Sequence, residues 1–121
     1  MQAQSREPAR GEVYLCEFDP ARGSAQAGTR PAVIVERTAF ASVRAKRHVL
    51  VAALSSSAKC ERLPFCVPVE PGSGTGLRIR SYLNASHLHA CSKDRLLRRL
   101  GSLPDETLAQ VDEALQLMLH L

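Results

Sequence analysis

The chain has 121 residues, 45% of them hydrophobic and 23% charged, the balance of one globular domain large enough to bury a core without staples. Sixteen Lys+Arg against twelve Asp+Glu give a net charge of +4, a mild cationic excess that fits an anionic partner such as nucleic acid or an acidic protein. The longest apolar run, Val49 to Leu54, has six residues where a membrane span needs about 20, and five Phe and Tyr with no Trp exclude an aromatic stacking platform.

Residues 1–9 read as a flexible polar tail, and 10–121 as a single domain. The tail has no apolar stretch of the secretory type, so the expected compartment is the cytoplasm. Glu12 to Phe18 is rich in strand formers and is stopped by Asp19-Pro20. Residues 19–30 form a long polar loop containing Gly23 and Gly28, and loops of that length tend to be functional. Pro31 opens a second strand, Ala32 to Val35, whose unbroken apolar character predicts burial on both faces. Residues 37–47 are basic and irregular. His48 to Leu54 is a further buried strand, followed by Ser55-Ser56-Ser57. Leu63 to Val69 carries Pro64 and Pro68, which places it at a sheet edge. Glu70 to Gly76 must turn, and Arg80 to Leu83 and Ser86 to Cys91 make one or two more strands.

The period then changes. Lys93 to Leu100 reads as a short basic helix stopped by Gly101, with Lys93, Arg95, Arg98 and Arg99 on a solvated face or, alternatively, contributing to binding of phosphate or of an acidic protein tail. Pro104 is placed as the first residue of a second helix, with Asp105 and Glu106 favourable in its first turn. Leu108, Val111, Leu115 and Met118 make an apolar stripe that Ala114, Leu117 and Leu121 widen. That face must pack on the sheet, on a second subunit, or on both. The fold class is mainly β with C-terminal helices (α+β), and short turns favour antiparallel pairing.

The cysteines at 16, 60, 66 and 91 contain no C-x-x-C and admit three disulfide pairings. A reducing compartment keeps them as thiols, and Cys16, alternating with Tyr14 and Phe18, reads as a small core residue. His87, His89 and Cys91 share one strand face and are zinc-ligand types. Successive ligands would stand about 7 Å apart, too far to chelate one ion without a kink. No metal and no other cofactor is therefore expected.

Two segments carry a resemblance. Arg10-Gly-Glu-Val-Tyr14 precedes Gly23-Ser-Ala-Gln-Ala-Gly-Thr-Arg-Pro31 and an apolar strand. This pairing resembles the MazF/PemK-like toxins of bacterial toxin–antitoxin systems, whose signature is an R-G-[DE]-[IV]-[WY] strand followed by a G-S-E-Q-[AG]-G-x-R-P loop. Val51 to Ser55, Ser81 to Asn84, Ser92 to Leu96 and the closing segments Pro104 to Glu106 and Val111 to Leu115 are similar to later family motifs in the same order. The likeness spans residues 10–121. It implies an SH3-like small barrel of the MazF/Kid/CcdB type, assembled as a homodimer. It further implies a sequence-specific, metal-independent endoribonuclease for single-stranded mRNA, restrained by a cognate antitoxin with an acidic C-terminal tail. The same fold hosts gyrase-directed toxins of the CcdB group, so fold alone does not decide the chemistry.

Metal-free cleavage uses the RNA's own 2′-OH against the adjacent phosphate, leaving a 2′,3′-cyclic phosphate and a 5′-OH. Arg30 suits charge stabilisation of the phosphorane, being permanently charged and forked. Ser55, in the matched position after the third strand, can donate to a phosphate oxygen or the leaving group. Ser24, Gln26, Gly28, Ser56, Arg80 and Asn84 are the expected RNA contacts. The chain departs from the family at Ala25, where an acidic residue is common, at Arg80, where Asp is common, and at His87-Leu-His-Ala90, where Q-I-R-T is common. Two carboxylate roles are thus lost and two imidazoles gained, and His87 and His89 become the candidates for proton transfer. The same departures motivate a second reading, a cleavage-defective module that binds RNA or antitoxin.

Overall fold

The computed structural model describes residues 7–18 and 28–121. Six strands, β1 (Glu12–Phe18), β2 (Gly28–Ile34), β3 (His48–Ser55), β4 (Cys66–Val69), β5 (Ser81–Ser92) and β6 (Leu96–Ser102), form one sheet in the order β4-β5-β3-β2-β1-β6. Every neighbouring pair is antiparallel. A four-residue helix, α1 (Thr38–Ala41), interrupts the basic 37–47 segment, and α2 (Asp105–Leu119) closes the chain. No helix among the described residues is long and apolar enough to cross a membrane.

The central strands bury residues on both faces at Val13 to Tyr14, Ala32 to Ile34 and Val51 to Leu54, as their apolar runs require, while Leu50 and much of β6 remain exposed. Val13, Val33, Ala52, Leu54, Leu83 and Ala85 pack beneath Val111 and Ala114 of α2. Tyr14, Cys16, Ala32, Ile34, Val51 and Cys91 form a second cluster on the opposite face. Within it the Cys16 and Cys91 sulfurs are 3.2 Å apart, and the Phe18 and His89 rings lie 5.1 Å apart, tilted by 60°. Both contacts join β1 to β5, which the sheet order separates by β3 and β2. The sheet is therefore curled until β1 and β5 face each other across this second cluster.

β5 is one strand, and it holds a large irregularity. Ala52 pairs with Leu88, but Leu54 pairs with Leu83, so β5 carries three more residues than β3 between these rungs. The extra residues change which side alternate positions face: Leu83, Ala85 and Leu88 pack on the α2 side, whereas Cys91 points into the second cluster.

The segment expected to be a basic helix is a single 3-10 turn, Lys93–Arg95, followed by β6. β6 pairs along β1 from Glu12↔Ser102 to Cys16↔Leu96, so a free edge of β1 overrides local helix propensity. A Cβ at Gly101 would stand 2.2 Å from the Gly74 carbonyl oxygen, so Gly101 marks a close backbone approach within the strand rather than a helix stop. Arg99 on β6 donates to the buried Glu12 carboxylate at 2.8 Å.

β2 begins at Gly28, inside the expected loop, and Pro31 is interior to it. Pro31 lies where β2 pairs only with β1, because the ladder to β3 starts at Ala32↔Ala53. A proline is tolerated on such a half-paired stretch. β4, shorter than the expected 63–69 and holding only Pro68 of the two prolines, is an edge strand as that proline requires. Pro104 precedes α2 as its N-cap rather than its first turn. On α2 Val111 and Ala114 are buried, and Leu108, Leu115 and Met118 pack partly against them, but Leu117 and Leu121 lie exposed outside the stripe.

Candidate nucleic-acid interface

Arg30 sits on β2 opposite Cys16 of β1. Its side chain shares the face of Ala32 and Ile34, one step beyond the end of the second core cluster. The antiparallel register of β2 with β3, continued outward, sets Arg30 beside Ser55. The guanidinium donates to the Leu54 carbonyl at 3.3 Å and lies 5.8 Å from the centre of the Phe18 ring. Among the described residues no salt bridge engages it. Half-buried, held by a carbonyl and a ring, it keeps a full positive charge available to an incoming anion.

Two groups of residues flank this guanidinium. On one side an open cleft of about 710 Å³ is lined by Arg30, Ser55, Ser56, Arg78 and Arg98. Ser55 Oγ accepts the Ser57 amide at 3.1 Å, which orients the hydroxyl oxygen and leaves its proton for another acceptor. On the other side stand Phe18 and the exposed His89. The His89 pKa is lowered from the ordinary 6.5, first by partial burial of the ring, then by the charges of Arg30 and His87. The imidazole is therefore neutral at neutral pH and able to accept a proton. Phe18 links the two groups, its ring 5.1 Å from that of His89 and 5.8 Å from the Arg30 guanidinium, and His87 lies two residues along the same strand face.

The structure thus brings Arg30, Ser55, Ser56, His87 and His89 to one end of the curled sheet. Gly28 adopts φ +115°, and a Cβ there would meet nothing within 4 Å; this left-handed backbone opens β2 opposite Phe18 and favours glycine. Arg80 and Asn84 do not line the Arg30 cleft. Arg80 pairs with Glu70 at 3.3 Å and lies over the Tyr82 ring, and Asn84 Oδ1 accepts from the Ser86 amide and hydroxyl. Ser24 and Gln26 lie outside the described residues. Phe18 and Arg78 are not among the site residues expected from the sequence, and Arg98, expected mainly as a solvated helix charge with phosphate or antitoxin-tail binding as the alternative, lines the cleft from a strand. Arg98 could have been found had β6 been read as a strand, because it then faces Leu15 of β1.

A curled six-stranded barrel with a cationic mouth and one helix closing its far face defines a small toxin-type barrel. The family model of the PemK-like, MazF-like toxins of type II toxin–antitoxin systems matches residues 9–119, and the chain belongs to that family. It is 36% identical over 114 residues to "Endoribonuclease MazF9" of Mycobacterium tuberculosis, covering 93% of this chain and 96% of that protein. Its fold is that of a mycobacterial "Endoribonuclease in complex with its cognate antitoxin", with a TM-score of 0.74, 27% identity and coverage of 94% and 96%. MazF from Deinococcus radiodurans gives a TM-score of 0.73 at 26% identity, with coverage of 95% and 98%. The SH3-like barrel expected from the sequence is the fold these structures share.

Proposed function

We propose that this chain is the toxin of a toxin–antitoxin pair and cleaves single-stranded RNA by 2′-OH attack on the adjacent phosphate. One observation carries the reading: the Arg30 guanidinium, free of any carboxylate among the described residues, lies between the Ser55 cleft and a neutral imidazole. His89 takes the proton from the 2′-OH as its oxygen bonds to phosphorus. Arg30 holds the two non-bridging oxygens while negative charge develops on them, and the Ser55 hydroxyl donates to one of these. The P–O5′ bond breaks, and His87 gives a proton to the departing oxygen. The products are a 2′,3′-cyclic phosphate and a 5′-OH, with water consumed only if the cyclic ester is opened later.

A homodimer and an acidic antitoxin tail complete the reading. Exposed Leu117, Leu119 and Leu121 near the end of α2 offer apolar surface to a second copy, and the net charge of +4 suits an acidic partner. The test is end mapping of pooled RNA treated with the purified protein, with and without EDTA. Discrete 5′-OH ends in both arms support the proposal. Intact RNA together with DNA breaks in treated cells assigns the gyrase-directed alternative, and intact RNA with no toxicity assigns the cleavage-defective module.

A further inference from the structure

A second cleft, of about 670 Å³, lies where β6 passes the 42–47 segment. Six of its lining side chains are cationic (Arg44, Lys46, Arg47, Lys93, Arg98 and Arg99), against the carboxylates of Glu7 and Asp94. Three of the cations are already committed. Lys93 is held by Glu7 at 2.9 Å, Lys46 by Glu36 at 2.9 Å and Arg99 by Glu12 at 2.8 Å. The other three are exposed. Among the described residues the Arg47 side chain meets only Asp94, in a pair whose side chains are 69% and 77% exposed, and such a pair is weak and readily exchanged. Arg44 and Arg98 have no ion-pair partner among the described residues. Arg98 also lines the Arg30 cleft, so the two clefts meet at one residue.

We infer that this second cleft is a backbone-binding extension of the RNA site, in which Arg98, Arg47 and Arg44 hold phosphates of the strand as it leaves the Arg30 cleft. The inference rests on the ribonuclease reading above. Its occupant follows from the lining. The available groups are separate exposed guanidinium forks, which match a chain that presents an anion at every nucleotide. Leu97 is the one large apolar lining side chain that is more than a third exposed. A bound acidic peptide gains most of its affinity from buried apolar anchors, and Leu97 alone is a poor site for them. Contacts of this type add affinity without reading bases.

The experiment compares the wild-type protein with Arg44→Ala/Arg47→Ala, two positions outside the Arg30 cleft. Anisotropy is measured on labelled 2′-O-methyl oligouridylates, which cannot be cut, of about 6 and about 20 nucleotides, lengths on either side of a single-strand site. Circular dichroism and the thermal midpoint confirm folding, and Arg44→Lys/Arg47→Lys restores the charge. The expected result is about a tenfold loss of affinity for the long probe, with a slope of log K against log salt shallower by about 1.4 for two phosphates lost. The short probe, and cleavage of a short RNA carrying the mapped cut site, are unchanged, and the lysine variant recovers binding. Unaltered affinity for the long probe overturns the inference, as does an equal loss on both probes. It is also overturned if binding of a polyglutamate peptide falls while RNA binding holds. If the wild-type protein cuts no RNA at all, the ribonuclease reading fails and takes the extension with it; wild-type cleavage with no preference for the long probe removes the extension alone.

Discussion

The sulfur atoms of Cys16 and Cys91 meet at 3.2 Å across the interior of the curled sheet, though 75 residues separate them in sequence. Both are free thiols in buried surroundings. Burial, with the hydrogen bond and charge of Cys91, pushes the Cys16 thiol far up, and burial with contact to Cys60 pushes Cys66 up to about 12. Thiolate, the reactive form, is therefore scarce at Cys16 and Cys66. Iodoacetamide at mildly alkaline pH should leave Cys16 and Cys91 unmodified in the native protein and label both after denaturation. Peptide mass spectrometry reads the difference, and rapid native labelling of Cys16 would show that the sheet opens there.

Arg30→Ala should lower the rate of RNA cleavage by about 100- to 1,000-fold, the usual consequence of removing one transition-state donor. Arg30→Lys should recover only part of the loss, because an ammonium cannot offer two parallel donors to a phosphate. Single-turnover cleavage of a defined RNA measures both. Since Arg30 contributes only one 3.3 Å bond to Leu54 and a ring contact, the thermal midpoint should barely move.

The lowered pKa of His89 sets the sign of the pH dependence. Its neutral form persists until the pH falls below the ordinary 6.5. A general base of this kind holds kcat/KM level through neutrality and loses it on the acid side, below that value. His89→Ala should abolish the acid limb along with most of the rate. Arg30→Gln, which removes one of the two charges disfavouring the imidazolium, should move the limb toward higher pH. A limb that stays in place in the Gln variant assigns it to another group.

Gly76 adopts φ +77°, and a Cβ there would lie 2.2 Å from the Leu100 carbonyl oxygen. Gly76→Ala therefore combines left-handed strain of about 1–2 kcal/mol with a clash against β6 that backbone movement must relieve. Urea denaturation should show a loss comparable to the roughly 2–5 kcal/mol expected for Ile34→Ala, which empties part of the core. Phe40→Ala, at a ring that is 57% exposed, serves as the control and should stay within about 0.5 kcal/mol of the parent.

The strands were legible where local pattern and tertiary role agree. Val51 to Leu54 is apolar throughout because both its faces are covered, and Pro68 announces an edge because an interior strand cannot spare its amide. The closing helix was legible from the spacing of Leu108, Val111, Leu115 and Met118. The stretch 93–100 was not. Its leucines and arginines favour a helix locally, and only the unpaired edge of β1, contributed from the other end of the chain, makes it a strand. The same misreading hid Arg98 among solvated charges. At the candidate site, Arg30 and Ser55 could be named from motif resemblance and the histidines from chemical type. The role of Phe18 could not be, because its neighbours Arg30 and His89 are brought to it by curling of the sheet, a property no short window of sequence carries.

The three surplus residues of β5 between the rungs to Ala52 and Leu54 have a lasting consequence. They let a single strand serve the α2 side at Leu83 and the opposite side at Cys91. Within 84–87 the exposed Ser86 can change at modest cost, whereas Ala85 is held in the core and His87 by its proposed role, and the number of residues is fixed. Deleting one would rotate everything between there and Ser92 by half a turn, turning the imidazole of His89 toward the helix and stranding the leucine at 88 in solvent. A one-residue deletion in that short window should therefore disturb the proposed chemistry as severely as replacing the imidazole itself.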